Sequence, residues 1–151
     1  MPVLTADTTI PGVRRESVFQ WLSRPDNHRR FLEAAFSAVT EKAPGALELG
    51  VPLHFREHRF RYTFTGTDDT HGGRRILVRT DSRRVRGNLR YSLRTEKPST
   101  HTLVTLHLDY DPGWVGYALD RIILRTRLER LFHDALENLS RLVQAENAKN
   151  G

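Results

Sequence analysis

Between residues 115 and 146 the chain carries no proline and a single glycine, Gly116. Ile123, Leu124, Leu128, Leu131, Phe132, Ala135, Leu136, Leu139, Leu142 and Val143 recur there at the spacing of one helix face. Arg130 with Asp134, and Glu137 with Arg141, set opposite charges four apart on the other face. At 1.5 Å per residue such a helix is on the order of 45 Å long. An amphipathic helix of that length needs a broad apolar partner, and the rest of the chain must supply it.

What precedes the helix is patterned with period two. In 87–95, Leu89, Tyr91 and Leu93 alternate with Asn88, Arg90, Ser92 and Arg94. In 101–110, Val104, Leu106, Leu108 and Tyr110 alternate with Thr105, His107 and Asp109. Ile76 and Val78 share one face of a strand over 75–80. The stretches 66–73 and 96–100 are polar turns, and Asp111-Pro112-Gly113 ends the last strand. Residues 53–65 are extended but change phase: Leu53 and Phe55 are odd, whereas Phe60, Tyr62 and Phe64 are even, which requires a bulge or break near 57–59.

Nearer the start, 3–9 reads as a strand, 13–22 as a short helix and 26–32 as a second one capped by Asp26. Pro11-Gly12 and Pro25 punctuate them. Residues 36–42 read as a strand and 43–50 as a loop. Hairpin-linked strands with helices grouped at the ends are the α+β class. The expected architecture is a curved antiparallel sheet of six or seven strands around a long C-terminal helix, with two short helices after the first strand. Its 151 residues suit one domain, 1–151, in which 145–151 is a polar, frayed tail.

Composition removes several classes of function. There is no cysteine, so thiol nucleophiles, disulfide frameworks and cysteine-ligated metals are excluded. No apolar run reaches the roughly 18 residues of a membrane span, and the first residues lack a basic-then-apolar leader; a cytoplasmic protein is expected. The net charge is +6, but only three of the 24 basic residues are lysines (Lys42, Lys97, Lys149). A GC-rich genome produces that skew, and the arginines are dispersed. Nucleic acid is therefore not expected as the main partner.

Three stretches, 10–28 (IPGVRRESVFQWLSRPDNH), 102–111 running into 113–121 (GWVGYALDR), and 127–146, resemble the SRPBCC (START-like, helix-grip) superfamily, in particular its polyketide cyclase/dehydrase and coenzyme Q-binding branch. The resemblance implies a cavity between the concave sheet face and the C-terminal helix. Members bind lipids, sterols, quinones, plant hormones or polyketides, and some catalyse cyclisation or dehydration. It carries over no catalytic motif. The residues expected to line the cavity are Phe55, Phe60, Tyr62, Phe64, Ile76, Val78, Leu89, Tyr91, Leu93, Leu106 and Leu108 from strands, and Leu124, Leu128, Leu131 and Phe132 from the helix. The same side chains would equally serve as a filled core. Tyr62, Tyr91 and Tyr110 can orient a carbonyl or hydroxyl.

Other groups carry less. His54 and His58 are four apart, which on a strand is roughly 13 Å, too far for one metal ion. His28, His71 and His101 fall in expected turns. Asp68, Asp69 and His71 form a polar loop cluster, and Gly72-Gly73 is a hairpin signal rather than a phosphate loop. Trp114, Val115 and Tyr117 could gate a cavity, touch a membrane or meet a second subunit. The resulting expectation is binding of a hydrophobic or amphipathic small molecule, without cofactor or metal. A cyclase or dehydratase on the same fold, a basic module for nucleic acid or an anionic membrane, a partner protein with a vestigial cavity, and a homodimer remain alternatives.

Overall fold

The computed structural model describes residues 3–53, 55–69, 74–96, 101–113 and 118–150. The elements run β1 (Val3–Ile10), α1 (Arg15–Leu22), α2 (Pro25–Leu32), β2 (Ala38–Ala43), β3 (Ala46–Pro52), β4 (Glu57–Asp68), β5 (Arg74–Asp81), β6 (Arg86–Glu96), β7 (His101–Asp111) and α3 (Ala118–Asn150). The strands form one seven-stranded sheet in the order β1-β7-β6-β5-β4-β3-β2. Every neighbouring pair is antiparallel. The sheet, the two short helices and the long terminal helix are the expected helix-grip architecture. No helix among the described residues is long and apolar enough to cross a membrane.

Alternation sets the concave face. Leu4 and Ile10 of β1, Leu47, Leu49 and Val51 of β3, Phe60 and Tyr62 of β4, Ile76 and Val78 of β5, Leu89, Tyr91 and Leu93 of β6, and the even residues of β7 are all buried. α3 covers them with Leu124, Leu128, Phe132, Ala135, Leu136, Leu139 and Val143. Within α3, Arg125 pairs with Glu129, and His133 Nε2 lies 3.2 Å from Glu137. The expected pairs at 130/134 and 137/141 do not form, and Arg141 reaches Asn138 instead.

Three local expectations are corrected, and one open alternative, a bulge or a break near 57–59, is decided. The stretch 43–50 is not a loop, since most of it is β3, a buried strand. Gly50 fits there because a Cβ would lie 2.6 Å from the Glu57 carboxyl carbon and 2.9 Å from Ser37 Oγ. The second helix is not capped by Asp26; Arg24 precedes it and Pro25 takes its first position, where the missing N–H costs nothing. The phase change in 53–65 is a strand end. Leu53 N–H donates to Arg56 O across the β3–β4 turn, so Leu53 and Phe55 do not belong to the strand that carries Phe60. The bulge in β4 lies further on, between Phe64 and Gly66, and Gly66 has φ 155°. Finally, α3 does not stop at residue 145 but continues to Asn150.

Candidate functional site

α2 is eight residues long and lies against the concave face. Asn27, His28, Phe31 and Leu32 are its buried side chains. His28, Phe31 and Leu32 stand at i, i+3 and i+4, which is one helix face. His28 thereby enters the apolar interior, 1% exposed, between α2 and the sheet.

There it meets two tyrosines from different strands. His28 Nδ1 is 2.6 Å from the Tyr62 hydroxyl, and that hydroxyl is 2.7 Å from the Tyr91 hydroxyl. His28 Nε2 is 2.7 Å from Leu22 O. A carbonyl can only accept, so Nε2 carries the proton and donates. Nδ1 then accepts from the Tyr62 O–H, and the Tyr62 oxygen accepts from the Tyr91 O–H. The chain has one direction: Tyr91 to Tyr62 to His28 to Leu22 O. Burial lowers the His28 pKa to about 4, against which the Leu22 bond pulls upward. The imidazole is neutral at physiological pH. Burial also pushes both tyrosine hydroxyls above their usual range, so they remain protonated donors.

Rings enclose this chain. Phe64 stands edge-on to His28 at 5.4 Å and Tyr91 at 5.8 Å; Phe31 stands edge-on to Tyr91 at 6.0 Å. Thr80 adds a further polar atom to the same concave face. It is fully buried, it pairs in register with Tyr62, and its Oγ1 has no hydrogen-bond partner.

A clasp joins α1 and the outer side of α2 to α3. Trp21 Nε1 donates to Glu146 Oε2 at 2.5 Å, and Arg30 pairs with Glu146 Oε1 at 2.7 Å. The Arg30 guanidinium also lies 5.5 Å from the centre of the Trp21 ring. Both contacts hold the Glu146 carboxyl below its ordinary pKa, Arg30 more strongly. A cleft of about 320 Å3 opens beside the clasp, bounded by Val13, Ser17, Trp21, Arg24 and Val143.

The expected lining residues separate into three groups. Phe60, Tyr62, Ile76, Val78, Leu89, Tyr91, Leu93, Leu106, Leu108, Leu124, Leu128 and Phe132 are brought together in one buried cluster. Phe64 and Leu131 are half-buried at its margin. Phe55 is corrected: it is fully exposed at the β3–β4 turn, because that turn throws it outward. The cluster is filled by side chains. Phe36, from the segment after α2, lies 5.2 Å from Phe132 and 6.1 Å from Phe60, bridging helix and sheet.

His28 is the residue that sequence reasoning missed. The sequence reading places it in a turn, yet its spacing to Phe31 and Leu32 marks it as inward-facing. His101 is likewise not in a turn: it opens β7, and its Nδ1 accepts from Gly12 N–H at 3.0 Å. Asp69 pairs with Arg74 at 3.0 Å, and Asp111 accepts from Gly113 N–H. Among the described residues no three His, Cys, Asp or Glu side chains gather as metal ligands. His54, His71, Gly72, Gly73, Trp114, Val115, Gly116 and Tyr117 lie outside the described residues.

Comparison with known proteins gives the fold its relatives. No family model and no curated protein sequence matches the chain. Solved structures do match over nearly the whole length. The Thermus thermophilus protein TTHA0849 superposes with a TM-score of 0.69 at 16% identity, covering 96% of this chain and 99% of that one. The Zhui aromatase/cyclase of a Streptomyces species gives 0.67 at 12% identity, covering 95% and 93%. Norcoclaurine synthase of Thalictrum flavum, in complex with dopamine and hydroxybenzaldehyde, gives 0.65 at 13% identity, covering 95% and 87%. The chain shares with these proteins the helix-grip fold.

Proposed function

We propose that the protein binds a hydrophobic or amphipathic small molecule between the sheet and α3, against the Tyr91–Tyr62–His28 chain. The observation that carries this reading is a directed row of hydroxyls inside an otherwise apolar interior. Phenylalanine would fill the same volume without burying polar atoms that each demand a partner. A bound carbonyl can take the hydrogen bond that Tyr91 now gives to Tyr62. The unpaired Thr80 hydroxyl supplies a second polar contact on the same face. Such a site, mostly apolar with a few convergent polar groups, is what small-molecule recognition requires.

Because Phe31, Phe36 and His28 fill this space, a ligand must displace α2. The cleft beside the Trp21–Glu146 clasp is the route supported by that geometry. The reading keeps the chain as one cytoplasmic domain and needs no cofactor.

The test is native mass spectrometry of freshly purified protein followed by organic extraction, then titration with the fluorescent probe anilinonaphthalenesulfonate. A discrete extra mass, or saturable probe binding that weakens about five- to tenfold in Tyr91→Phe, fits the value of one hydrogen bond. No bound mass and no saturable binding overturns the reading.

A second reading, an enzyme of the cyclase or condensing kind, is favoured by one observation. The neutral His28 Nδ1 accepts the hydrogen bond of the Tyr62 hydroxyl, so a base and a proton donor already stand in contact. Dopamine with hydroxybenzaldehyde is the first substrate pair to offer, given the fold relative that holds them. Turnover abolished by His28→Gln would support it, and its absence leaves the binding reading alone.

A further inference from the structure

One end of the molecule gathers the start of β1, the end of β7, the β3–β4 and β5–β6 turns and the first turns of α3. The register fixes the strand ends, because Val3 pairs with Asp109, Arg86 with Asp111 and Pro52 with Glu57, and Arg125, which donates to Val3 O at 3.0 Å, sets the start of α3 beside them. Val3, Phe55, Leu119 and Ile122 are the four large apolar side chains exposed among the described residues, and all lie at this end. Leu119 is 65% exposed and Ile122 62%. Scattered single apolar residues need no explanation, but here all four lie at one pole.

The same end is basic. A cleft of about 320 Å3 is lined by Leu53, Arg56, Glu57, His58, Arg83 and Arg84. A neighbouring one of about 290 Å3 shares Leu53 and Arg56 and adds Phe55, Asp120 and Ile123. The carboxylates here are mostly engaged. Glu57 is held by Arg59 and Ser37, Asp81 by Arg86, Glu129 by Arg125, and Asp111 caps Gly113 N–H. Arg56, Arg83, Arg84 and Arg121 form no ion pair among the described residues. Burial, with the charges of Arg84 and Arg56 added to it, depresses the His58 pKa.

We infer that this end docks on an anionic lipid bilayer, with Phe55, Leu119 and Ile122 entering the interface and Arg56, Arg83, Arg84 and Arg121 meeting lipid phosphates. Exposed apolar side chains ringed by unpaired cations match an interface that is apolar inside and negative at its surface. A nucleic acid would use the arginines and leave the apolar patch in water. The inference is independent of whether the interior binds a ligand.

The test is co-sedimentation with vesicles of phosphatidylcholine alone and of phosphatidylcholine mixed with phosphatidylglycerol. The parent should bind the mixed vesicles, release as salt rises, and ignore the neutral ones. Each arginine near the surface is worth roughly fivefold in partitioning, so Arg83→Glu with Arg84→Glu should weaken binding at least about 25-fold. Leu119→Ser with Ile122→Ser should weaken it at least about 30-fold, with the melting temperature of the parent. Arg79→Glu with Arg90→Glu, on the outer sheet face, should leave it unchanged. No binding of the parent to mixed vesicles overturns the inference. So does an equal loss in the outer-face control. A loss confined to the arginine variants, with the Leu119/Ile122 variant binding normally, also overturns it and points to a general polyanion contact. The apolar variant alone decides the matter should the arginine variant fold poorly.

Discussion

The space between the sheet and α3 is filled in two ways. Towards one side, Phe36 wedges between Phe60 and Phe132, and no polar atom takes part. Towards α2, rings also pack closely, but three of them carry hydrogen-bonding atoms joined in one chain. Both regions are fully buried. The aromatic wedge stabilises by area and shape alone, and tolerates no rearrangement without loss. The polar chain stabilises less per side chain, yet its bonds can be exchanged for bonds to another molecule. The contrast separates the part of the interior that holds the fold from the part that can respond.

The largest effect should come from the wedge. Phe132→Ala leaves a cavity beneath α3 and is expected to cost about 3–5 kcal/mol in chemical denaturation. A cost no greater than that of the tyrosine variant would erase the distinction.

Acid should act on the other region. The folded-state pKa of His28, about 4, lies below the ordinary 6.5, so the unfolded chain binds more protons between those values. Stability is therefore fully present above pH 6.5 and declines as pH falls towards 4, by about 3 kcal/mol from this group. His28→Phe should flatten that part of a stability–pH curve, which Phe132→Ala should leave in place.

Tyr62→Phe removes the middle of the chain and strands His28 Nδ1 and the Tyr91 hydroxyl. A loss of about 1–3 kcal/mol is expected in the same assay. A negligible loss would mean that the chain is dispensable to the fold, which sharpens the case for a role in binding.

The smallest effect belongs to the clasp. Glu146→Gln keeps an acceptor for Trp21 but loses the half-exposed Arg30 ion pair, for less than about 1 kcal/mol. Its clearer readout is faster amide hydrogen exchange in α2, with β6 and β7 unaffected.

Much of this was legible in the sequence, and the reasons differ by element. β6 and β7 were plain because apolar and polar residues alternate without interruption, and α3 because its apolar face repeats for many turns. β3 was hidden by Pro44, Gly45, Gly50 and Pro52, all of which usually mark loops. Here Gly45 takes φ 78° at the turn itself, and Gly50 yields room for Glu57 and Ser37. Phe55 was drawn into the interior by assuming that one strand crossed a turn. The polar chain could not be read, since His28, Tyr62 and Tyr91 sit on α2, β4 and β6. Only the sheet register and the placement of α2 bring them together. The apolar character of the site was visible; its directed hydroxyls were not.

The strand order also bears on how the molecule is made. Of the seven strands β1 is made first, but its strand neighbour among the described residues is β7, the last of the seven to be made. Until then Leu4 and Ile10, both fully buried at the end, have no partner strand, and α3 follows later still. The hairpins from β2 to β7 can zip together locally as they emerge, whereas β1 must wait and close a long loop against β7. That closure sets a slow, late step, because distant pairings cost chain entropy before they return any contact. Nascent chains halted before residue 101 should therefore hold β1 open to proteases, however well their central hairpins have formed.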